Sequence, residues 1–280
     1  MTLTVDFGPH DIVKQIEKTN IKGRHLIFID DYLPAELENI FKTAVMLEPF
    51  WRFRIPLLEG KVLCNQFFQP STRTRFSHET AMLRLGGTVI TESNPLVSSA
   101  AAKGESLYDA LRVTSQYADV IVLRHPDEGV IDTIEQLGRD SSPIISGGYG
   151  NVTHPTQGLL DMYTAYRALG GDFKEMTVMI ATPDLSRARS GQSFGLGLAR
   201  MGSKLIYSGT TGLGVPPVIR AKLKAMNANF TEVNDLTIGQ HEEMLADEGV
   251  DLLYLPGCSV KKGDPGRDDF LKKMAEFYFT

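Results

Sequence analysis

Cysteine is nearly absent from this 280-residue chain: only Cys64 and Cys258 occur. Two thiols are too few to build a disulfide scaffold or a zinc cluster, and they fit a reducing cytoplasm. No apolar run reaches the 18 residues that argue for a membrane span, and Met1 to Phe7 lacks the basic and apolar stretches of a secretory signal. Net charge is −5, pI is near 5.7 and no Lys/Arg block exceeds a pair, which disfavours a nucleic-acid or anionic-membrane surface. The six histidines are dispersed without paired ligand spacing, so no metal is expected, and nothing demands another cofactor. No Ser-His-Asp pattern or redox cysteine pair points to covalent catalysis.

What is present is a core: 42% of residues are hydrophobic, enough for about two domains. Strand-like runs alternate with helical periodicity. His25 to Ile29 reads as strand before a helix from Pro34 to Met46. Val62 to Phe68, Thr88 to Ile90 and Val120 to Leu123 read as strands that lead to helices, and Pro143 to Ser146 as a strand broken by Gly147-Gly148-Tyr149-Gly150. A long helix from His154 to about Leu169 follows, stopped by Gly170-Gly171. Further strands are expected at Met176 to Ala181, Lys204 to Ser208 and Asp251 to Leu255. This is the rhythm of βα units: two doubly wound α/β domains with parallel sheets, 1–153 and 154–280, the second opened by an interdomain helix. Ligands of such sheets are expected beyond the strand C-termini, in the crevice between domains.

Residues 67 to 75, Phe-Phe-Gln-Pro-Ser-Thr-Arg-Thr-Arg, put three hydroxyls and two guanidiniums where a buried strand gives way to a helix. Unpaired backbone N–H groups and the positive end of the helix dipole favour an anion there. A lone Ser71-Thr72 pair reads equally well as a helix cap. The arginines shift the balance, because a cap needs no guanidinium while a phosphate gains from a bidentate fork. Rival phosphate patterns fail: the glycines of residues 195 to 204 fall late in a helix and lack an ordered Gly-Lys-Ser/Thr ending.

Ser71-Thr72-Arg73-Thr74-Arg75 resembles the carbamoyl phosphate motif of the aspartate and ornithine carbamoyltransferases. Its flanks, Phe67 to Pro70 and Phe76 to Ala81, are more similar to the aspartate branch, and the likeness runs from about Arg24 to about Val260. The resemblance implies transfer of a carbamoyl group from carbamoyl phosphate to an amino-acid amine, L-aspartate first, in pyrimidine biosynthesis. It implies that Ser71, Thr72, Arg73 and Thr74 hold the phosphate. Arg124 and His154 would contact the carbonyl oxygen, with Thr74, and Gln157 the carbamoyl amide. Ser99 and Lys103 would reach a neighbouring subunit's site, hence a homotrimer with shared active sites or a larger assembly. Ala102 stands where the family has a second loop lysine. Arg189 is the match for the arginine that binds the acceptor α-carboxylate, with Arg187 as an adjacent competitor.

The likeness thins after Asp251. The aspartate enzymes grip the aspartate side chain with an arginine and a glutamine where Pro256 to Lys262 reads Pro-Gly-Cys-Ser-Val-Lys-Lys; in an ungapped register Gly257 and Ser259 replace them. The family continues with a His-Pro-Leu-Pro loop and a final helix where this sequence ends with Phe270 to Thr280. Three readings stay open: a different acceptor such as ornithine, a noncatalytic partner subunit, and a shortened chain.

Overall fold

Two four-stranded sheets carry the chain, and every pairing in them is parallel. The structure is a computed structural model and describes residues 7–98, 103–138, 141–257, 268 and 271–272. It divides into a first unit, Met1–Ile27 with Asp31–Gly150, and a second, Phe28–Asp30 with Asn151–Thr280. No helix among the described residues is long and apolar enough to cross a membrane.

The first unit runs α1 (Pro9–Glu17), α2 (Pro34–Leu47), β1 (Val62–Phe67), α3 (Thr72–Arg84), β2 (Thr88–Glu92), α4 (Pro95–Ser98), α5 (Leu107–Thr114), β3 (Val120–His125), α6 (Val130–Leu137) and β4 (Ile144–Tyr149). Strand order is β2-β1-β3-β4. From β1 the chain crosses to β2, then returns to β3 on the other side of β1. The reversal opens a gap beyond the C-terminal ends of β1 and β3, the place where open α/β sheets bind ligands. Leu63, Phe67, Met82 and Val122 pack into one core under this point, with Val89 and Ile145 against them.

The second unit runs α7 (Pro155–Leu169), β5 (Thr177–Ala181), α8 (Arg189–Met201), β6 (Lys204–Gly209), α9 (Pro217–Ala225), β7 (Phe230–Asn234), α10 (Ile238–Asp247) and β8 (Leu252–Tyr254). Its order, β7-β6-β5-β8, repeats the reversal, now between β5 and β8. Met179, Ala181 and Ile206 form a buried cluster with Met244 and Leu253 against it. Helix α7 lies tightly on α8. A Cβ on Gly158 would fall 2.9 Å from the Ser193 carbonyl carbon and 2.6 Å from Ile29 Cδ1, so only glycine permits this approach.

Two expectations from the sequence are corrected, and two elements are added to them. His25 to Ile29 is no strand: Leu26 makes a single bridge to Ile145, and the chain then turns through a 3₁₀ turn at Ile29–Asp31. Gly147-Gly148-Tyr149 does not break its strand but completes β4, where a Cβ on Gly147 would lie 3.3 Å from Arg124 Cβ and the Leu123 carbonyl oxygen, a close approach that glycine eases. Helix α1 and strand β7 were not expected; β7 is an edge strand without one fully buried residue, so its apolar signal is weak.

Candidate active site

Strand β1 ends at Phe67, and helix α3 begins two residues after Pro70, with Ser71 in extended conformation at its N-cap. The Ser71 hydroxyl makes no capping bond, and no acidic side chain occupies the first turn. The first N–H groups of α3 and the Ser71 hydroxyl are thus left for an anion rather than consumed by a capping box. The turn is stiffened from behind. Ser77 Oγ donates to the Thr74 carbonyl at 2.9 Å, and His78 Nδ1 lies 2.7 Å from the same oxygen. Burial pushes the His78 pKa down, so its ring stays neutral and donates through Nδ1.

The two arginines of the motif differ. Arg75 lies over the Phe76 ring at 5.0 Å, its Nε 3.7 Å from Glu79, whose Oε1 also accepts from Thr91 at 2.8 Å. That arginine is held against the protein. Arg73 is exposed and has no partner among the described residues. Exposed Arg73 can thus turn its fork to an added anion, whereas Arg75 would have to leave the Phe76 ring and Glu79 to do so.

Parallel pairing sets Arg124 beside Phe67 in register, which brings the end of β3 next to the strand that feeds the motif. Arg124 is only 7% exposed, and its Nη1 donates to the Gly147 carbonyl at 2.7 Å. Lys103 is exposed on the segment before α5; Ser99 lies outside the described residues.

In the second unit, Pro155 at N1 starts α7 and makes His154 its N-cap. His154 is 9% exposed, and its backbone N–H donates to Ser193 Oγ of α8 at 2.8 Å. One turn on, Gln157 Nε2 donates to Asp161 Oδ1 at 2.9 Å, and Tyr254 OH of β8 donates to Asp161 Oδ2 at 2.7 Å. Asp161 escaped the sequence reading, although its place four residues after Gln157 on one helix face was the available signal. Burial raises its pKa, opposed by the two hydrogen bonds.

Arg189 is the first residue of α8, in the loop beyond β5, and burial lowers its pKa. Arg187 is 49% exposed on its side chain and pairs with buried Asp184 at 3.3 Å, so it braces the loop. Gln192 completes that brace by donating to the Leu185 carbonyl at 2.9 Å. Cys258 to Lys262 lies outside the described residues. No cluster of three or more His, Cys, Asp or Glu able to hold a metal occurs among the described residues.

The profile of the carbamoyl-P binding domain of aspartate/ornithine carbamoyltransferases matches residues 24–167, from Arg24 to the last turns of α7. The chain belongs to that family. A ureidoglycine carbamoyltransferase of Rubrobacter xylanophilus is 45% identical over 264 residues, 94% of this chain and 76% of the relative. The aspartate carbamoyltransferase catalytic subunit of Methanocaldococcus jannaschii is 40% identical over 236 residues, 83% of this chain and 73% of the relative. A crystal structure of the M. jannaschii catalytic subunit superposes with a TM-score of 0.70 at 37% identity, covering 90% of this chain and 79% of that one. The two-sheet α/β fold of this carbamoyltransferase is thus shared with the aspartate enzymes.

Proposed function

We propose that the protein transfers a carbamoyl group between carbamoyl phosphate and the amine of an α-amino acid whose side group is neutral, with ureidoglycine the favoured acceptor. The observation that carries the donor half is the start of α3, without a side-chain cap and with exposed Arg73, at the β1/β3 reversal. Ser71, Thr72, Arg73 and Thr74 hold the phosphate in this reading. The neutral amine attacks the carbamoyl carbon and a C–N bond forms. Negative charge grows on the carbonyl oxygen, the bond from carbon to the bridging oxygen breaks with its electron pair on the departing phosphate, and the phosphate takes the proton that the nitrogen sheds. Thr74, Arg124 and His154 stabilise the oxyanion, and Gln157 orients the carbamoyl nitrogen. Preorganised donors of this type contribute about 3 to 4 kcal/mol each. Lys103, from a neighbouring copy in a trimer, adds charge on the phosphate.

On the acceptor side, Arg189 takes the α-carboxylate. Ureidoglycine carries a neutral ureido group where aspartate carries a second carboxylate, and the sequence Pro256 to Lys262 contains no arginine to grip one. The 45% identity to a ureidoglycine carbamoyltransferase over 94% of the chain supports the same choice. L-Aspartate is the second reading, favoured by the 40% identity to an aspartate enzyme. A missing fork on a buried carboxylate costs about 2 to 5 kcal/mol, about 30-fold to several thousand-fold. The test measures phosphate release and carbamoylated product with ureidoglycine, L-aspartate and ornithine, in wild type and in Ser259→Arg. Ureidoglycine should give the highest kcat/KM, and the substitution should raise the aspartate value. Strong turnover with micromolar aspartate would reverse the choice, and binding without turnover of any acceptor would favour a noncatalytic subunit.

A further inference from the structure

The chain of hydrogen bonds that ends on Gln157 reaches further than the residues assigned above. Asp161 is an acceptor on both oxygens when ionised. One takes Gln157 Nε2 at 2.9 Å, the other the Tyr254 hydroxyl at 2.7 Å. Tyr254 is itself fixed: its ring centroid stands 4.6 Å from that of Phe194, and its hydroxyl also bonds the Ser190 side chain, next to Arg189. A carboxylate held in this way leaves Gln157 one orientation. A flipped amide would set Oε1 against a carboxylate oxygen, two acceptors without a proton between them. One N–H of the amide is taken by Asp161, which fixes the side of the amide on which the oxygen stands as an acceptor for a ligand.

We infer that Asp161, clamped by Tyr254, is a positioning residue that fixes the Gln157 oxygen as an acceptor for the carbamoyl N–H₂ and so selects carbamoyl phosphate over acyl phosphates without that donor. The inference rests on the proposed role of Gln157 at the carbamoyl nitrogen. Acetyl phosphate is the discriminating ligand, because it keeps the phosphate and carbonyl and replaces N–H₂ by a methyl group.

The experiment measures calorimetric affinity for carbamoyl phosphate, acetyl phosphate and inorganic phosphate in wild type, Asp161→Leu, Asp161→Asn and Tyr254→Phe. Wild type should prefer carbamoyl phosphate to acetyl phosphate. Asp161→Leu should weaken carbamoyl phosphate about tenfold, one hydrogen bond's worth, and leave the other two within about twofold. Asp161→Asn should recover most of the preference, since its oxygen accepts from Gln157 while its N–H₂ donates to Tyr254. Tyr254→Phe keeps the ring contact with Phe194 and should lower the preference about threefold. It therefore supplies the answer if Asp161→Leu does not fold. Equal weakening of all three ligands would reveal a purely structural role and overturn the inference, as would an unchanged preference in Asp161→Leu. A wild type that binds all three ligands without preference overturns the inference alone. One that binds none overturns the donor reading and the inference with it.

Discussion

Arg73 and Arg75 are two residues apart in one motif, yet their surroundings give them opposite consequences when removed. Arg73→Ala deletes a side chain with no protein partner among the described residues, so the folded state loses little, within about 0.5 kcal/mol. A phosphate deprived of that guanidinium loses a charge-assisted fork, about 2 to 5 kcal/mol, or 30-fold to several thousand-fold in affinity. Arg73→Lys keeps the charge without the fork and should fall between, about tenfold weaker than wild type. Arg75→Ala breaks a half-buried pair with Glu79 at 3.7 Å and frees a carboxylate that also serves Thr91. It should cost about 1 kcal/mol of stability and much less phosphate affinity than Arg73→Ala. Calorimetry with carbamoyl phosphate and inorganic phosphate, beside thermal unfolding of each variant, separates the two columns of effects. The reasoning is refuted if Arg73→Ala binds like wild type, or if Arg75→Ala loses as much affinity as Arg73→Ala while its stability is unchanged.

Mixing inactive Lys103→Ala chains with inactive Arg73→Ala chains should restore part of the activity if the lysine serves a neighbouring copy; no recovery in verified hybrids would confine it to its own chain. Asp161 has a folded pKa raised by burial, so its contribution to stability is complete below its unfolded pKa and is lost as pH rises through the folded one. Asp161→Asn should therefore melt at or above the wild-type temperature at pH 7 and lose that relative advantage as pH falls towards 4, and a constant difference across the range would contradict the burial argument. Gly158→Ala should destabilise the second unit by about 1 to 3 kcal/mol, because the new methyl meets the Ser193 backbone at 2.9 Å; an unchanged urea midpoint would show that α7 and α8 separate at no cost.

Much of the fold was legible in the residues because buried parallel strands write apolar runs: Val62 to Cys64, Val120 to Leu123 and Val178 to Ala181 are such runs within β1, β3 and β5. Strand β7 was not, since Phe230–Asn234 lies at an edge and mixes exposed Thr231 with half-buried Glu232. His25 to Leu26 had strand composition, but His25 is drawn instead into bonds with the Ile144 N–H at 3.0 Å and the Gly138 carbonyl at 3.2 Å. Of the candidate site, the motif at α3 was readable from local order alone. What spacing could not tell was which arginine is exposed and which lies beside Glu79, or that Asp161 meets Tyr254 from 93 residues away.

Strand β8 has only three residues, none fully buried, and it forms one margin of its sheet through pairs with β5 alone. Arg124, in contrast, is held by the backbone ladder of an interior strand. Exposed Leu255 and Gly257 can therefore be rewritten with little damage to the interior, unlike buried Pro256 between them, while changes around Phe67 and Arg124 disturb a packed centre. With donor binding at the β1/β3 reversal and acceptor choice beyond β8, as proposed, new specificities can be tried at the open margin at small structural risk to the donor site.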